Sequence, residues 1–166
     1  MATGSNLTLL GGNVVNTGEI QVSAGNVTLS AVPGGSRVKI SQAGHLLSLE
    51  IEPPRDSEGN LMSFAATDLP GLLTSTDDVA TGLTVQNDGA IAINDAEISF
   101  IPEAVMTIST GQIDVAGYTG GTVNLTGSKV GVLSGVIDAS GIDGGGSVRV
   151  GGDYQGGGTL PAATQT

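Results

Sequence analysis

At 166 residues the chain is long enough for one domain around a continuous core and too short for two large ones. Sixteen acidic residues against five basic ones give a formal net charge of −11, which repels phosphate backbones and anionic lipid and argues against nucleic-acid binding and membrane docking. The absence of cysteine removes disulfide and thiolate chemistry, the single histidine argues against a conventional zinc site, and 28 glycines beside four aromatics call for a core of small stacked aliphatics.

The N-terminal residues Met1-Ala2-Thr3-Gly4 have neither the basic nor the apolar region of a signal peptide. No window approaches the roughly 18 apolar residues that span a bilayer, so no membrane insertion is expected. Asn6-Leu7-Thr8-Leu9 is echoed 20 residues later by Asn26-Val27-Thr28-Leu29, with Gly18-Glu19-Ile20-Gln21-Val22 between them. Alternating apolar and polar residues mark half-buried strands, with Leu7, Leu9, Ile20, Val22, Val27 and Leu29 inward. Gly34-Gly35-Ser36-Arg37-Val38-Lys39-Ile40 reads as one more strand of the same kind, with Val38 and Ile40 inward.

From 43 to 82 the pattern breaks. Leu46 to Ile51 still reads as strand, but Pro53-Pro54-Arg55-Asp56-Ser57-Glu58-Gly59-Asn60 is turn-rich and charged and does not continue a ladder. Thr67 to Leu73 carries an N-cap candidate and an early proline, and predicts one short helix. The segment is expected to be an excursion from the repeat, which resumes at Leu83-Thr84-Val85 and runs through Gly89 to Ile93, Glu97 to Phe100 and Val105 to Ile108.

The clearest repeats follow. Gly111-Gln112-Ile113-Asp114-Val115-Ala116-Gly117 recurs as Gly135-Val136-Ile137-Asp138-Ala139-Ser140-Gly141, a shift of 24 residues. Gly120-Gly121-Thr122-Val123-Asn124-Leu125 recurs as Gly145-Gly146-Ser147-Val148-Arg149-Val150, a shift of 25. A period of this size belongs to solenoids, whose units bury their apolar face only by stacking. Ile113 then lies under Ile137 and Val123 under Val148, with strands about 4.8 Å apart. The expected fold is all-β, a right-handed parallel β-helix of about five to six coils in a single domain over 1–155, followed by a flexible tail at 156–166.

The phrases Gly11-Gly12-Asn13-Val14-Val15-Asn16-Thr17-Gly18, Leu46 to Ile51 with the prolines after it, and Ile137-Asp138-Ala139-Ser140-Gly141 through Gly151-Gly152-Asp153-Tyr154-Gln155-Gly156 together resemble filamentous haemagglutinin-like exoproteins of two-partner secretion systems. The resemblance covers nearly the whole chain. It implies a secreted, non-enzymatic segment at the outer cell surface, exported by a partner outer-membrane transporter barrel and serving adhesion to a surface glycan or protein. The family's amino-terminal secretion signature is not found, which aligns the chain with the end of that domain or the shaft after it.

Asp114 and Asp138 share one phase of the repeat. Paired carboxylates suit a shared proton, a calcium ion or the acid and base of a polysaccharide lyase or hydrolase, which is the alternative function. The plainer reading is two solvated side chains spaced by the repeat, since only Lys129, Arg149, Tyr118 and Tyr154 are available to line a sugar groove. A calcium-dependent assembly module is a third reading. The glycines from Gly141 to Gly152 lack the helix of a phosphate loop and the strict iteration of a calcium repeat, and read as corners with positive φ. His45 has no second ligand nearby in sequence. Thr8, Thr28, Thr84, Thr107, Thr122 and Thr126 lack the common phase of an ice-binding array. No catalytic, cofactor or metal residue is assigned.

Overall fold

The computed structural model describes residues 2–41, 48–51, 55–60, 83–86, 90–93, 98–100 and 105–166. Twelve of its strands form four parallel sheets. The chain runs through β1 (Asn6–Gly11), β2 (Asn13–Asn16), β3 (Glu19–Gln21) and β4 (Asn26–Ala31). After a long interval it continues through β10 (Met106–Ser109), β11 (Gln112–Asp114), β12 (Gly117–Thr119), β13 (Thr122–Thr126), β14 (Lys129–Val132), β15 (Val136–Asp138), β16 (Gly141–Gly144) and β17 (Ser147–Val150).

Sheet A has the order β1-β4-β13-β17, sheet B β14-β10-β2, sheet C β15-β11-β3 and sheet D β12-β16. The chain therefore revisits the same sheets in the same order. All-β architecture with parallel, in-register stacking is what a β-helix or solenoid requires.

The register places like over like. Leu9, Leu29, Leu125 and Val150 form one row, and Leu7, Val27, Val123 and Val148 the next. Ile20, Ile113 and Ile137 form a third, as the repeat predicts. Inner members of these rows are sealed: Val27, Leu29, Ile113, Val123 and Leu125 are fully buried, whereas Leu9 is 42% and Val150 38% exposed at the two ends. Burial in the middle comes from strands on both sides, and each end strand lacks one of them.

The intervening strands behave differently. β5 (Val38–Ser41) pairs antiparallel with β6 (Ser48–Ile51), and β7 (Leu83–Val85), β8 (Ile91–Ile93) and β9 (Ile98–Phe100) form an antiparallel meander. This corrects the expectation that the ladder extends to Ile40 and resumes at Leu83. It also removes from the ladder the strands counted toward five or six coils, and no parallel sheet holds more than four strands among the described residues. The physical reason is connection length: parallel partners need a crossover of a dozen or more residues, whereas the links here are only four to six residues long and permit only hairpins. Arg55 to Asn60 forms the predicted turn, closed by the Asp56 N–H donating to the Asn60 carbonyl at 2.9 Å. The predicted helix at 67–73 and most of the 43–82 excursion lie outside the described residues.

The end of the tail lies against β14. Gln165 bridges Lys129 in parallel, the Val130 N–H donates to the Gln165 carbonyl at 3.0 Å and the Thr164 N–H to the Ser128 carbonyl at 2.8 Å. The exposed edge of β14 carries backbone groups that need partners, and the tail supplies them.

The glycine pairs meet a steric need. A Cβ on Gly121 would collide with the Gly25 carbonyl oxygen, and one on Gly146 with that of Gly121. Expected positive φ values occur at Gly151 (77°) and Gly152 (129°) but not at Gly141 or Gly144 to Gly146; Gly141 and Gly146 need glycine for closeness and not for handedness, whereas a Cβ at Gly144 or Gly145 would meet nothing within 4 Å.

Leu125→Ala is expected to lower unfolding free energy by about 2–5 kcal/mol, and Leu9→Ala by clearly less, because the first leaves a sealed cavity and the second opens to solvent. Equilibrium denaturation of both variants measures the difference, and equal losses would show that the stack is not graded from middle to ends.

Candidate functional site

The paired carboxylates were the sequence's one candidate for chemistry, and the register brings them together: Asp114 is the direct partner of Asp138, with Gln21 beyond Asp114 in the same row. Each aspartate ends its strand and faces the corner that follows. Asp114 Oδ1 accepts the Ala116 N–H at 2.8 Å, and Asp138 Oδ1 accepts the Ser140 N–H at 2.8 Å. These are Asx turns, in which a short acidic side chain satisfies the backbone two residues on. Gln21 Nε2 donates to Asp114 Oδ2 at 3.2 Å, joining the first strand of the row to the second.

That arrangement changes what the pair can do. A proton-sharing dyad has one carboxyl raised well above its usual range. Asp138 moves the other way: the Ser140 backbone N–H, followed by its hydroxyl, stabilises the charged form and holds the carboxyl below its ordinary value of 3.8. A general acid held charged at neutral pH has no proton to give. The repeated Ile-Asp phrase is therefore read as a corner brace, and an Asp two residues before a small residue at a strand end is the signal in the sequence that marks it.

The other candidates lie apart. Arg149 Nε pairs with Asp153 Oδ1 at 3.0 Å, and its Nη1 donates to Asn124 Oδ1 at 3.3 Å, so its charge is spent on the end of sheet A. Asp153 Oδ2 in turn accepts the Leu160 N–H at 2.9 Å and holds the start of the tail. Tyr118 and Tyr154 are 69% and 86% exposed. Lys129 opens β14 in the row with Met106. His45 lies outside the described residues. Thr8 and Thr28 stack, but their row continues as Asn124 and Arg149, so it is no threonine array. Among the described residues no three His, Cys, Asp or Glu side chains group as a metal site would need.

Sequence reasoning missed a buried polar joint. Thr107 is fully buried; its Oγ1 accepts the Ala31 N–H at 3.1 Å and donates to the Thr126 carbonyl at 2.7 Å. Two residues further along β10, Ser109 Oγ accepts from Asn16 Nδ2 of β2 at 3.2 Å. Among the described residues every buried polar side-chain atom has a partner.

Comparison with protein-family models, with curated proteins and with solved structures finds no match for this chain.

The Asp138 carboxyl, followed by NMR through an acid titration, is expected to have its midpoint below 3.8. Because the folded value is depressed, its contribution to stability is present above the unfolded value and is lost as pH falls through the folded one. Asp138→Asn keeps the acceptor oxygen and should remove that pH dependence, whereas Asp138→Ala should lower stability at neutral pH as well. A midpoint above 3.8 would return Asp138 to the acid–base candidates.

Proposed function

We propose that this chain is a structural and adhesive segment of a secreted bacterial surface exoprotein of the filamentous haemagglutinin-like kind, a stiff shaft that extends and presents. In this reading the parallel sheets close into a right-handed β-helix. Right-handedness follows from the strong bias of parallel strand crossovers toward that hand, about 98% of cases.

The observation that carries the reading is the register: inward aliphatics lie over one another from pass to pass, as in the rows Ile20, Ile113, Ile137 and Leu9, Leu29, Leu125, Val150. A rod built this way gains stiffness from backbone hydrogen bonds along its axis and needs no ligand to hold its shape. Three further features fit. A chain without cysteine passes unfolded through a partner outer-membrane barrel without a closed loop to thread. Each new pass can then fold on the one before it outside the cell. A net charge of −11 keeps such a rod soluble and turns it away from anionic lipid and nucleic acid.

The Asx turns also bear on the enzyme alternative, because both carboxylates already hold backbone amides. A panel of acidic and neutral polysaccharides tests the two readings together, scored for retention by the purified chain and for release of new chain ends. The scaffold predicts no release on any member. Cleavage that disappears in Asp138→Asn would establish an enzyme and overturn the proposal.

A further inference from the structure

Elsewhere in the ladder the step from sheet A to sheet B is short. One residue, Gly12, separates β1 from β2, and two, Gly127 and Ser128, separate β13 from β14. Between β4 and β10 the same step takes the chain from Val32 to Val105, with residues 33–104 in between.

The two ends of that long segment nevertheless occupy ordinary corner positions. The Val32 N–H donates to the Gly11 carbonyl at 2.8 Å, and the Val105 N–H to the Gly12 carbonyl at 2.9 Å. On the next pass the Ser128 N–H donates to the Val105 carbonyl at 2.8 Å. Gly12, Val105 and Ser128 thus form one column. Both ends also meet over Gly127, where a Cβ would lie 2.9 Å from the Val105 carbonyl oxygen and 3.3 Å from the Ala31 Cβ. Thr107 seals the mouth by bonding Ala31 on one side and Thr126 on the other.

The strands described within the segment pair only with one another and only antiparallel. Two side chains on β10 are buried where their counterparts on the flanking strands are not. Val14, Thr107 and Val130 point inward and are buried, as their row requires. The alternate positions on the flanking strands are half-buried, Asn13 and Val15 on β2 and Lys129 and Gly131 on β14. On β10 they are Met106 and Ile108, only 4% and 6% exposed. Among the described residues, the outward positions of sheet B are buried only on β10, the strand that follows the long segment.

We propose that residues 33–104 are a cargo module inserted at one corner of a ladder that is complete without them, seated on the outward side chains of Met106 and Ile108. This goes beyond the shaft reading, because it divides the chain into a mount that supplies rigidity and an exchangeable piece that is presented. It holds whether or not the shaft serves adhesion.

Two variants test it. In the first, residues 33–104 are excised and glycine replaces Val105, giving a two-residue corner, while Met106→Lys and Ile108→Thr give the bared face a polar surface. Glycine is chosen because Val105 has φ of 63°, a conformation costly for a β-branched residue. In the second, a glycine–serine segment of the same length replaces 33–104, with the same two polar substitutions. Both are expected to unfold cooperatively, with the amides of Val123 and Leu125 as slow to exchange as in the full chain.

Loss of that protection in the second variant would overturn the dispensability of the segment. Its loss in the first alone would overturn the closeness of the two ends. The seat is tested separately by placing Met106→Lys in the full chain and in the linker-replaced chain that retains Ile108. The substitution should lower the midpoint of unfolding in the former and leave it unchanged in the latter. Equal losses in both would show that the ladder itself covers Met106 and would overturn the seat.

Discussion

A parallel strand exposes the same set of backbone donors and acceptors on each edge, and it becomes part of a core only when the next pass supplies a strand in register. The whole arrangement depends on that repetition. If Leu29 lay over a polar residue instead of Leu9 and Leu125, the row would bury an unpartnered group at every step, at about 1–3 kcal/mol each. The aliphatics in the rows are small because each must fill only the space above one neighbour. This is why a chain with four aromatics can still seal Ile113, Val123 and Leu125 completely.

Stacking also constrains the corners. Successive passes are separated by one strand spacing, so at the tightest turns the backbone of one pass touches the backbone of the next. The column Gly25, Gly121, Gly146 shows the result, since any side chain there would strike a carbonyl. At looser corners the problem is the opposite: amides are left without partners, and Asp114 and Asp138 reach around to accept them. Glycine and aspartate are thus two answers to one geometric demand. Their recurrence at 24 and 25 residues follows from the length of a pass, with no need of a shared chemical task.

Much of this was legible in the sequence. The self-similarity of 111–117 with 135–141 gave the pairing of Ile113 with Ile137, and that of 120–125 with 145–150 gave Val123 over Val148, because a repeat that must stack has only one register that keeps aliphatics inward. Strand direction outside the repeat was less accessible: alternation in Val38 to Ile40 or Ile91 to Ile93 looks the same for parallel and antiparallel partners. The short links between those strands held the answer, and their length was the stronger signal. The pairing of Asp114 with Asp138 was legible, but the use of their oxygens was not, since it depends on where the Ala116 and Ser140 amides turn after the strand ends. Thr107 carried no sequence signal at all. It occupies an aliphatic row between Val14 and Val130, and only the departure of the chain after Ala31 makes a hydroxyl useful there.

That last residue shows how a ladder tolerates interruption. Where the chain leaves at Val32, the Ala31 amide cannot rely on a neighbouring strand, and an unmet donor in a dry core would weaken every row it touches. Thr107 accepts that donor and donates its own hydroxyl hydrogen bond to the Thr126 carbonyl, so the junction is closed from inside by the strand that returns. A valine there would pack as well as its neighbours but would leave Ala31 unsatisfied. The polar joint is therefore the condition under which rows on either side stay dry. Because it lies within the ladder and uses no atom from 33–104, the closure does not depend on what that segment contains.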